Sequence, residues 1–407
     1  MTAQLPTLIR MFLSLMFAMY VGGLCSSEEY FALSQLCALY NFWWENIRPR
    51  VEISAKPRLS WETMTEYESW AYFRFKKHDI PHVCALLLIP PEIITKSRYK
   101  FSSVEAFLVL CWRLSFPCSL LAGKEVFGRG RTALSEIIHW MLEFILFSCG
   151  HLLEFPTYYS EPARLRLFAN KINAKCPQSN CTGFLDTTLK RNTRPHIGQQ
   201  AVYSGYKKIH GMKYQNVITP DGIIATQWGP VEGRRSDIWI LAESDLIPTL
   251  TNRWRFVVNT PATIAQHTPS RAGAPNMFRP GGVGPDFIQY CVYGDRGYTP
   301  DHSGAVVAPF KRYPGEAQLT EAQENYNTCM AQARIAVEWG FLKVVQKWAY
   351  LDYHKQMKIW GTPVAMFYKV GSLLTNFHTC LYGSEVSTYF ELDPPTLEAY
   401  LAMLPPA

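Results

Sequence analysis

Apolar residues recur at helical spacing through residues 102–151, and this pattern predicts three consecutive helices. Ser103 is placed to cap the first of them, and a short second helix covers residues 120–127. The glycine-bearing turn 128–130 separates it from a longer third helix, whose apolar positions begin at Leu134. This order of elements is that of a helix-turn-helix, in which the later helix lies in the major groove of DNA.

Two arginines around this turn are the candidate DNA contacts of the helical region. Arg129 and Arg131 lie at the leading end of the third helix, where a helix-turn-helix faces DNA. A plain helical bundle also has glycine turns between its helices, and it is the alternative interpretation of the same pattern.

Beyond residue 181 the pattern changes from helical spacing to that of β-strands. Phe184 and Leu185, followed by Thr187 and Thr188, predict a strand that delivers Asp186 at its end. A second strand is predicted over residues 206–219, and it carries four basic side chains, Lys207, Lys208, His210 and Lys213. Strand alternation would place the first and last of these on one face and the middle two on the other.

Turns and caps divide the next part of the chain. The sequence Pro-Asp-Gly at 220–222 is a strong turn before a third strand over 223–228. A helix is predicted over 237–250, with Ser236 as its cap and Asp237 as its first residue. The run 259–285 is crowded with Pro and Gly, which predicts a mobile loop.

Two further acidic residues follow this loop. The apolar run 287–293 predicts a strand that leads to Asp295, so a second carboxylate is placed at a strand end. A long helix is predicted over 320–348, and in it Arg334 lies four residues before Glu338, on the same face. An ordinary surface salt bridge is the alternative interpretation of this pair.

The charge of the chain is concentrated beside these residues. The net charge is +7, and residues 171–235 contain ten Lys and Arg against three Asp and Glu, which leaves the remainder neutral. A local excess of this kind favours a polyanionic partner, although a solvated basic face would have the same composition. The eleven cysteines have no metal-site spacing, which indicates reduced thiols in an intracellular protein.

An apolar segment near the start of the chain admits a different class of protein. Residues 11–25 are nearly all apolar and follow Arg10, as in a signal peptide, but they are too few for a transmembrane helix. A buried helix that continues toward Trp44 is the other interpretation. A secreted or membrane protein would rest on this segment alone.

Asp186, Asp295 and Glu338 together form an acidic trio. Two aspartates at strand ends and a glutamate on a helix supply the hard oxygen ligands that a two-metal phosphoryl-transfer site requires. Acidic residues at strand ends are common, so the trio by itself does not establish a site.

Several strings carry a resemblance to a known family. LDTT, YSGYKKIHGMKYQNVITPDG and GPVEGRRSD resemble the first half of the catalytic domain of Harbinger/PIF-type DDE transposases, a family that includes domesticated Harbinger-derived nucleases. YGDRGY around Asp295 and ARIAVEWGFLK around Glu338 resemble the family's second and third acidic motifs. The resemblance runs in one order from about residue 104 to residue 401, and the loop 259–285 is longer than the family's usual connection.

The resemblance implies both a fold and an activity. The fold is α/β, an RNase H-like mixed sheet with flanking helices, preceded by an all-α helix-turn-helix region. The activity is metal-dependent DNA cleavage and strand transfer by a transposase, or nuclease activity in a domesticated descendant. The alternative is a catalytically silent, transposase-derived module that binds DNA or protein, and disabled relatives of that kind tend to lose one of the three acids.

The implied site residues fall into three groups. Asp186, Asp295 and Glu338 are the catalytic residues and the ligands of two divalent cations, Mg²⁺ or Mn²⁺. Arg129, Arg131, Lys207, Lys208 and Lys213 are the DNA-binding residues, and His210, Asp237 and Arg334 support the site. The expected partners are double-stranded DNA at transposon ends, a Myb-like DNA-binding protein and a second copy of the chain; no membrane is expected, and the location is the nucleus.

Five regions are predicted along the chain. They are an N-terminal helical region (1–100), the helix-turn-helix-like region (101–155), a linker with one short helix (156–181), the RNase H-like catalytic domain (182–383) and a C-terminal tail (384–407).

Overall fold

The structure of the protein is a computed structural model that describes Ser26 and residues 59–176, 180–257, 287–298, 302–312 and 318–405. Two predicted features, the apolar segment 11–25 and the loop 259–285, lie outside the described residues. The chain divides into the units Met1–Lys56 and Pro57–Ala407, and all the described helices and strands belong to the second.

The three helices predicted between residues 102 and 151 are present. Ser102, one residue before the predicted cap, accepts a hydrogen bond from the Glu105 amide (3.2 Å) and so starts the first of them. Gly128 ends the second helix with a left-handed φ of 61°, a conformation that glycine adopts without steric cost. The elements up to residue 149 are α1 (Glu66–Phe73), α2 (Asp79–Leu86), β1 (Glu92–Ile94), β2 (Lys100–Ser102), α3 (Ser103–Ser115), α4 (Leu120–Phe127) and α5 (Arg131–Cys149).

Helix α5 is apolar around much of its circumference. The segment Arg131–Leu153 is long and apolar enough, by length and composition, to cross a membrane. Many of its apolar positions, among them Leu134, Ile138 and Ile145, are buried against neighbouring helices, whereas Phe147 is 92% exposed. Packing within the core accounts for the buried part of its apolar surface.

A mixed β-sheet forms the second half of the molecule. Its strands follow the order β10-β9-β3-β5, and β5 then pairs with β4 near its start and with β6 along the rest of its length. Strands β3, β5 and β6 are antiparallel, whereas β9 runs parallel to both β3 and β10. The remaining elements are α6 (Pro162–Lys175), β3 (Cys181–Arg191), α7 (Gln199–Val202), β4 (Tyr203–Ser204), β5 (Ile209–Ile218), β6 (Ile224–Glu232), α8 (Asp237–Glu243), α9 (Leu246–Arg253), β7 (Arg255–Val257), β8 (Phe287–Gln289), β9 (Cys291–Tyr293), β10 (Val306–Val307), α10 (Glu321–Lys347), α11 (Val364–Tyr382), α12 (Glu385–Tyr389) and α13 (Leu397–Leu401).

The predicted fold class is confirmed. Helices α6 and α10 pack against β3, and α11 packs against β6, so the mixed sheet has flanking helices as an RNase H-like fold does. The long helix predicted over 320–348 is α10, and a capping box between Thr320 and Gln323 fixes its start. The region predicted as a linker contains the 14-residue helix α6.

Two strand predictions need correction. Strand β3 continues to Arg191, so Asp186 lies within the strand and not at its end. The basic strand begins at Ile209 and not at residue 206, because the chain first turns: the Lys208 amide donates to the Ser204 carbonyl (2.8 Å), and Lys208 has a φ of 59°. Lys207 and Lys208 therefore lie in a tight turn, where strand alternation does not apply to them.

Two single elements predicted from the sequence are each divided in the structure. The helix predicted over 237–250 is interrupted at Asp245, which has a φ of 49°, and continues as α9. The strand predicted over 287–293 changes partners at Tyr290, whose amide donates to the Trp254 carbonyl (3.0 Å). Its first part pairs with β7, and its second part joins the main sheet beside β3.

Candidate active site

The register between β3 and β9 brings two of the predicted acids to the same level of the sheet. Phe184 on β3 lies opposite Tyr293, the last residue of β9, and the two strands are parallel. Asp186 and Asp295 each follow two residues after this pair. Because β9 has ended while β3 continues, both carboxylates lie at the edge of β3 that β9 leaves open.

Asp186 is the more enclosed of these two acids. Its side chain is 24% exposed, and its Oδ1 accepts a hydrogen bond from the Thr187 amide (2.9 Å). Burial raises the pKa of this carboxyl to about 6; the Arg334 guanidinium opposes the shift, and the negative charges of Asp295 and Asp237 add to it. Such a carboxylate is stabilised by any cation that approaches it.

Gly297 lies between Asp295 and a further carboxylate, that of Asp237. The Gly297 amide donates to Asp295 Oδ1 (2.8 Å). A Cβ atom on Gly297 would lie 2.9 Å from Asp295 Oδ1 and 3.2 Å from Asp237 Oδ2, so these two oxygens can be no farther apart than the sum of the two distances. Asp237 is the first residue of α8, which Ser236 caps by accepting from the Trp239 amide (3.2 Å). The absence of a side chain at residue 297 allows the two carboxylates to converge.

Arg334 connects the third acid to the first. Its Nη2 lies 2.9 Å from Glu338 Oε1, one turn further along α10, and 4.0 Å from Asp186 Oδ2. The spacing of four residues predicted the first contact but not the second. Glu338 is 53% exposed, but Arg334 is only 24% exposed. The Arg334–Glu338 pair is therefore more enclosed than an ordinary surface salt bridge, and Arg334 lies close to two of the three acids, Glu338 and Asp186.

Lys213 lies at the same site. Its Nζ is 2.9 Å from Asp237 Oδ1, and its side chain is only 15% exposed. The lysine expected to contact DNA is thus paired with a carboxylate of the acidic cluster. His210, three residues earlier on β5, has its ring 5.1 Å from that of Tyr203 on β4.

The exposed basic residues are elsewhere. Lys207 and Lys208 project from the turn between β4 and β5 and are exposed. Arg131, the first residue of α5, is also exposed. These three side chains are accessible to an anionic partner.

Arg129 is not accessible, which corrects its expected role as a DNA contact. The residue is 7% exposed, and its guanidinium donates from Nε to Glu105 Oε1 (2.8 Å) and from Nη2 to Glu105 Oε2 (2.7 Å). It also lies 4.4 Å from the centre of the Phe101 ring. A paired and buried arginine of this kind holds the turn before α5 against α3, and removing its partner would leave a buried charge.

The sequence did not indicate which groups support the acidic loop, the segment after β9 that carries Asp295. Thr187 Oγ1 and Tyr298 Oη lie 2.6 Å apart, and Tyr298 is fully buried, so this contact ties the loop after β9 to β3. Lys311 Nζ donates to the Tyr298 carbonyl (2.9 Å). The string DRGY contained the relevant glycine and tyrosine, but nothing in its spacing indicated that the tyrosine turns inward.

The donor set fits a hard divalent cation in its chemistry. Asp186, Asp295, Asp237 and Glu338 offer carboxylate oxygens, the ligands that Mg²⁺ and Mn²⁺ prefer. Within the described residues, no three acidic, histidine or cysteine side chains are placed to hold one ion as they stand. Arg334 and Lys213 each occupy a carboxylate, so cation binding would require these ion pairs to rearrange.

Comparison with protein families matches residues 185–376 to the family described as DDE superfamily endonuclease. The matched segment begins one residue before Asp186 and includes Asp295 and Glu338. The match supports a DDE transposase-like family, and it does not distinguish the Harbinger type within that group. Comparisons with curated proteins and with solved structures gave no match.

Proposed function

We propose that this protein, whose residues 185–376 match DDE superfamily endonucleases, is a divalent-metal-dependent DNA nuclease of the Harbinger/PIF type. It cleaves and transfers DNA strands for a transposon, or cleaves DNA as a domesticated descendant. The observation that supports this most strongly is the alignment of Asp186 with Asp295 at the open edge of β3, with Glu338 joined to that edge through Arg334.

The residues of the chain have separate tasks in this proposal. Asp186 and Asp295 would hold the cations, with Asp237 beside them, and Glu338 would complete the set once Arg334 releases it. Bound there, divalent cations would activate water or a 3′-hydroxyl and neutralise charge on the phosphate. Arg334, once free of Glu338, is placed to donate to a phosphate oxygen, since a guanidinium binds that group with two parallel hydrogen bonds.

Exposed basic side chains outside the acidic site would bind the DNA. Lys207, Lys208 and Arg131 are the candidate phosphate contacts, and each contributes to affinity without reading the base sequence. Lys213 would act at the acidic site instead, through its ion pair with Asp237. We further propose that α4 and α5 act as a helix-turn-helix, that the protein works in the nucleus with a Myb-like partner, and that it forms a homodimer on transposon ends.

The alternative, a catalytically silent module, would use the same basic surface without cleavage. The ion pairs of Arg334 with Glu338 and of Lys213 with Asp237 favour the silent module, because they neutralise these carboxylates without a metal ion. The presence of all three acids favours the nuclease.

The test is cleavage of duplex DNA that carries the inverted repeats flanking the gene, with Mg²⁺ or Mn²⁺ added and with EDTA as the blank. We expect metal-dependent strand cleavage that Asp186→Asn and Asp295→Asn each abolish. Asp245→Asn is the matched control, because Asp245 is an exposed aspartate just beyond α8. Binding of the repeats without cleavage under all conditions would identify the silent module instead.

A further inference from the structure

A cluster of basic side chains lies where α1, α10 and α11 meet. This basic cluster consists of Arg74, which follows α1, Lys343 and Lys347 on α10, and His378 on α11. Lys347 Nζ lies 5.4 Å from the centre of the Trp70 ring on α1, and the same ring lies 5.3 Å from that of His378. Arg74 is one helical turn beyond Trp70, because its amide donates to the Trp70 carbonyl (3.0 Å). Trp70 therefore brings basic side chains from all three helices together.

Several nitrogen atoms of the basic cluster are buried without an acceptor. His378 is 3% exposed, and neither of its ring nitrogens reaches a hydrogen-bond partner in another residue of the described chain. Arg74 Nε is likewise buried and unpartnered within that part of the chain. Lys343 is 6% exposed and directs two of its three ammonium hydrogens to Thr379 Oγ1 (3.1 Å) and to the Gly383 carbonyl (2.7 Å). Buried polar groups are nearly always hydrogen-bonded, so these donors need an acceptor.

The positive charges of the basic cluster are poorly compensated. Burial lowers the pKa of His378 to about 2 and that of Lys343 to about 8, and the charge of Lys347 adds to both shifts. Burial also lowers the pKa of Lys347; Glu385 opposes that shift, and Arg74 adds to it. The Glu385 side chain is exposed, so solvent screens its attraction. An anion among these side chains would reduce the cost of keeping them charged.

The basic cluster can be reached from solvent. Arg74 and Lys347 are half-buried, which leaves an opening on the α1 side. On the other side, the Tyr382 ring lies 4.6 Å from that of His378. The Tyr382 hydroxyl donates to Asp79 Oδ2 (2.6 Å), so this carboxylate is already paired. A ligand could therefore enter beside Arg74 and Lys347 without displacing an ion pair of the cluster.

The charge and the donors of the basic cluster match a phosphate group. Its three cationic side chains and the exposed Glu385 carboxylate leave two positive charges to balance. A phosphate monoester carries about −1.5 to −2 charges at pH 7 and has three acceptor oxygens. A guanidinium binds such oxygens through directed hydrogen bonds, and an ammonium binds them as a point charge. A single carboxylate or a chloride ion would balance only half of this charge.

We propose that the basic cluster binds the phosphate group of a small molecule, either inorganic phosphate or a phosphorylated metabolite. Phosphate oxygens accept from Arg74 Nε, from the remaining hydrogen of Lys343 and from Lys347, and the neutral His378 ring donates its one N–H. The bound ligand joins α1 to α10 and α11. The site goes beyond the proposed nuclease function, because it needs neither the acidic site nor a DNA strand.

Calorimetric titration with inorganic phosphate, in a HEPES buffer freed of divalent cations, tests the site. Arg74→Met and Lys347→Met keep the length of the side chain without its charge, and each should weaken phosphate binding about tenfold, since a hydrogen bond to a charged group contributes on this scale. Lys355→Met is the matched control, because Lys355 is an exposed lysine outside the cluster, and it should bind phosphate as the wild type does.

Thermal unfolding separates a ligand contact from a structural role. A ligand that binds only the folded protein raises Tm, so phosphate should raise the Tm of the wild type more than that of Arg74→Met or Lys347→Met. Without phosphate, both variants should unfold at or above the Tm of the wild type, because each loses a repelled charge. Arg74→Lys keeps that charge, and it should retain more of the phosphate affinity than Arg74→Met.

A second titration with inositol hexakisphosphate identifies the kind of ligand. Tighter, variant-sensitive binding of this probe supports a metabolite with several phosphate groups, and equal variant-sensitive binding of both probes supports free phosphate. Equal phosphate affinity of the wild type, Arg74→Met and Lys347→Met overturns the proposal, and so does variant-sensitive binding of duplex DNA alone. Because no divalent cation is present, the outcome is independent of whether the acidic site cleaves DNA.

Discussion

Replacing Asp186 with Asn should make the metal-free protein more stable at neutral and alkaline pH. The Asp186 carboxyl is enclosed, and its pKa is raised from the ordinary 3.8 to about 6, mainly by burial. Ionising it in the folded protein therefore costs more than ionising it in the unfolded chain. An asparagine of nearly the same shape carries no such cost, while it also removes a carboxylate that a cation would need.

The expected gain follows from the size of the pKa shift. A difference between 3.8 and about 6 corresponds to about 3 kcal/mol, and the attraction of Arg334 is already contained in this net shift. The cost is absent below about pH 3.8, where both states are protonated, grows as the pH rises, and is complete above about pH 6. The variant should thus gain about 3 kcal/mol at pH 8 and about half of that at pH 5.

Urea denaturation in EDTA, followed by circular dichroism, measures the difference in unfolding free energy between Asp186→Asn and the wild type at pH 5 and at pH 8. Asp245→Asn serves as the control, because Asp245 is exposed, and it should not change stability with this pH dependence. Added Mg²⁺ should then stabilise the wild type more than Asp186→Asn. If Asp186→Asn were no more stable than the wild type at pH 8, or showed the same difference at both pH values, our account of this carboxylate would be wrong.

Three further changes test other parts of the site. Gly297→Ala should weaken Mn²⁺ binding about tenfold in a calorimetric titration, because the new Cβ would lie 2.9 Å from Asp295 Oδ1 and displace it. Gly361→Ala is the control, since the nearest atom to its Cβ would be at an ordinary 3.8 Å, and it should bind Mn²⁺ as the wild type does. Equal Mn²⁺ affinity of the two variants would contradict this. Replacing Lys207 and Lys208 together with Ala should lower the salt dependence of duplex binding by ~1.8 in slope, about 0.9 for each phosphate contact, and an unchanged slope would show that the turn does not touch DNA. Glu338→Gln should bind duplex DNA in Ca²⁺ but fail to cleave it in Mg²⁺, and retained cleavage would remove Glu338 from the mechanism.

The features that the sequence predicted correctly depend on local signals. The helix α10 was predicted over 320–348 from its periodic pattern, and the structure has it over Glu321–Lys347, with Thr320 as its cap. The Arg334 and Glu338 contact follows from helix geometry alone, since residues four apart lie on one face. Signals of this kind act over a few residues, so they are readable without knowledge of the rest of the fold.

The predictions that failed depend on tertiary contacts. Arg129 lies within the glycine-bearing turn 128–130, where a side chain can be exposed or buried. Only the packing of this turn on α3 places Glu105 Oε1 2.8 Å from the Arg129 Nε. Lys208 was predicted to lie within a strand over residues 206–219, but it lies in the turn before β5. The short strand β4, which the sequence did not indicate, pairs with the start of β5 and forces a turn at that position.

The position of the acids relative to one another depends on a pairing that no local pattern encodes. Asp186 and Asp295 are more than one hundred residues apart, and they meet because Phe184 pairs with Tyr293 across two parallel strands. A shift of this register by one residue would turn one carboxylate to the other face of the sheet. The spacing in the sequence can therefore identify the acids, but only the buried pairing of β3 with β9 determines whether they converge. The contact between Thr187 Oγ1 and Tyr298 Oη (2.6 Å) then ties the chain beyond β9 to β3, beside the pairing of β9 with β10.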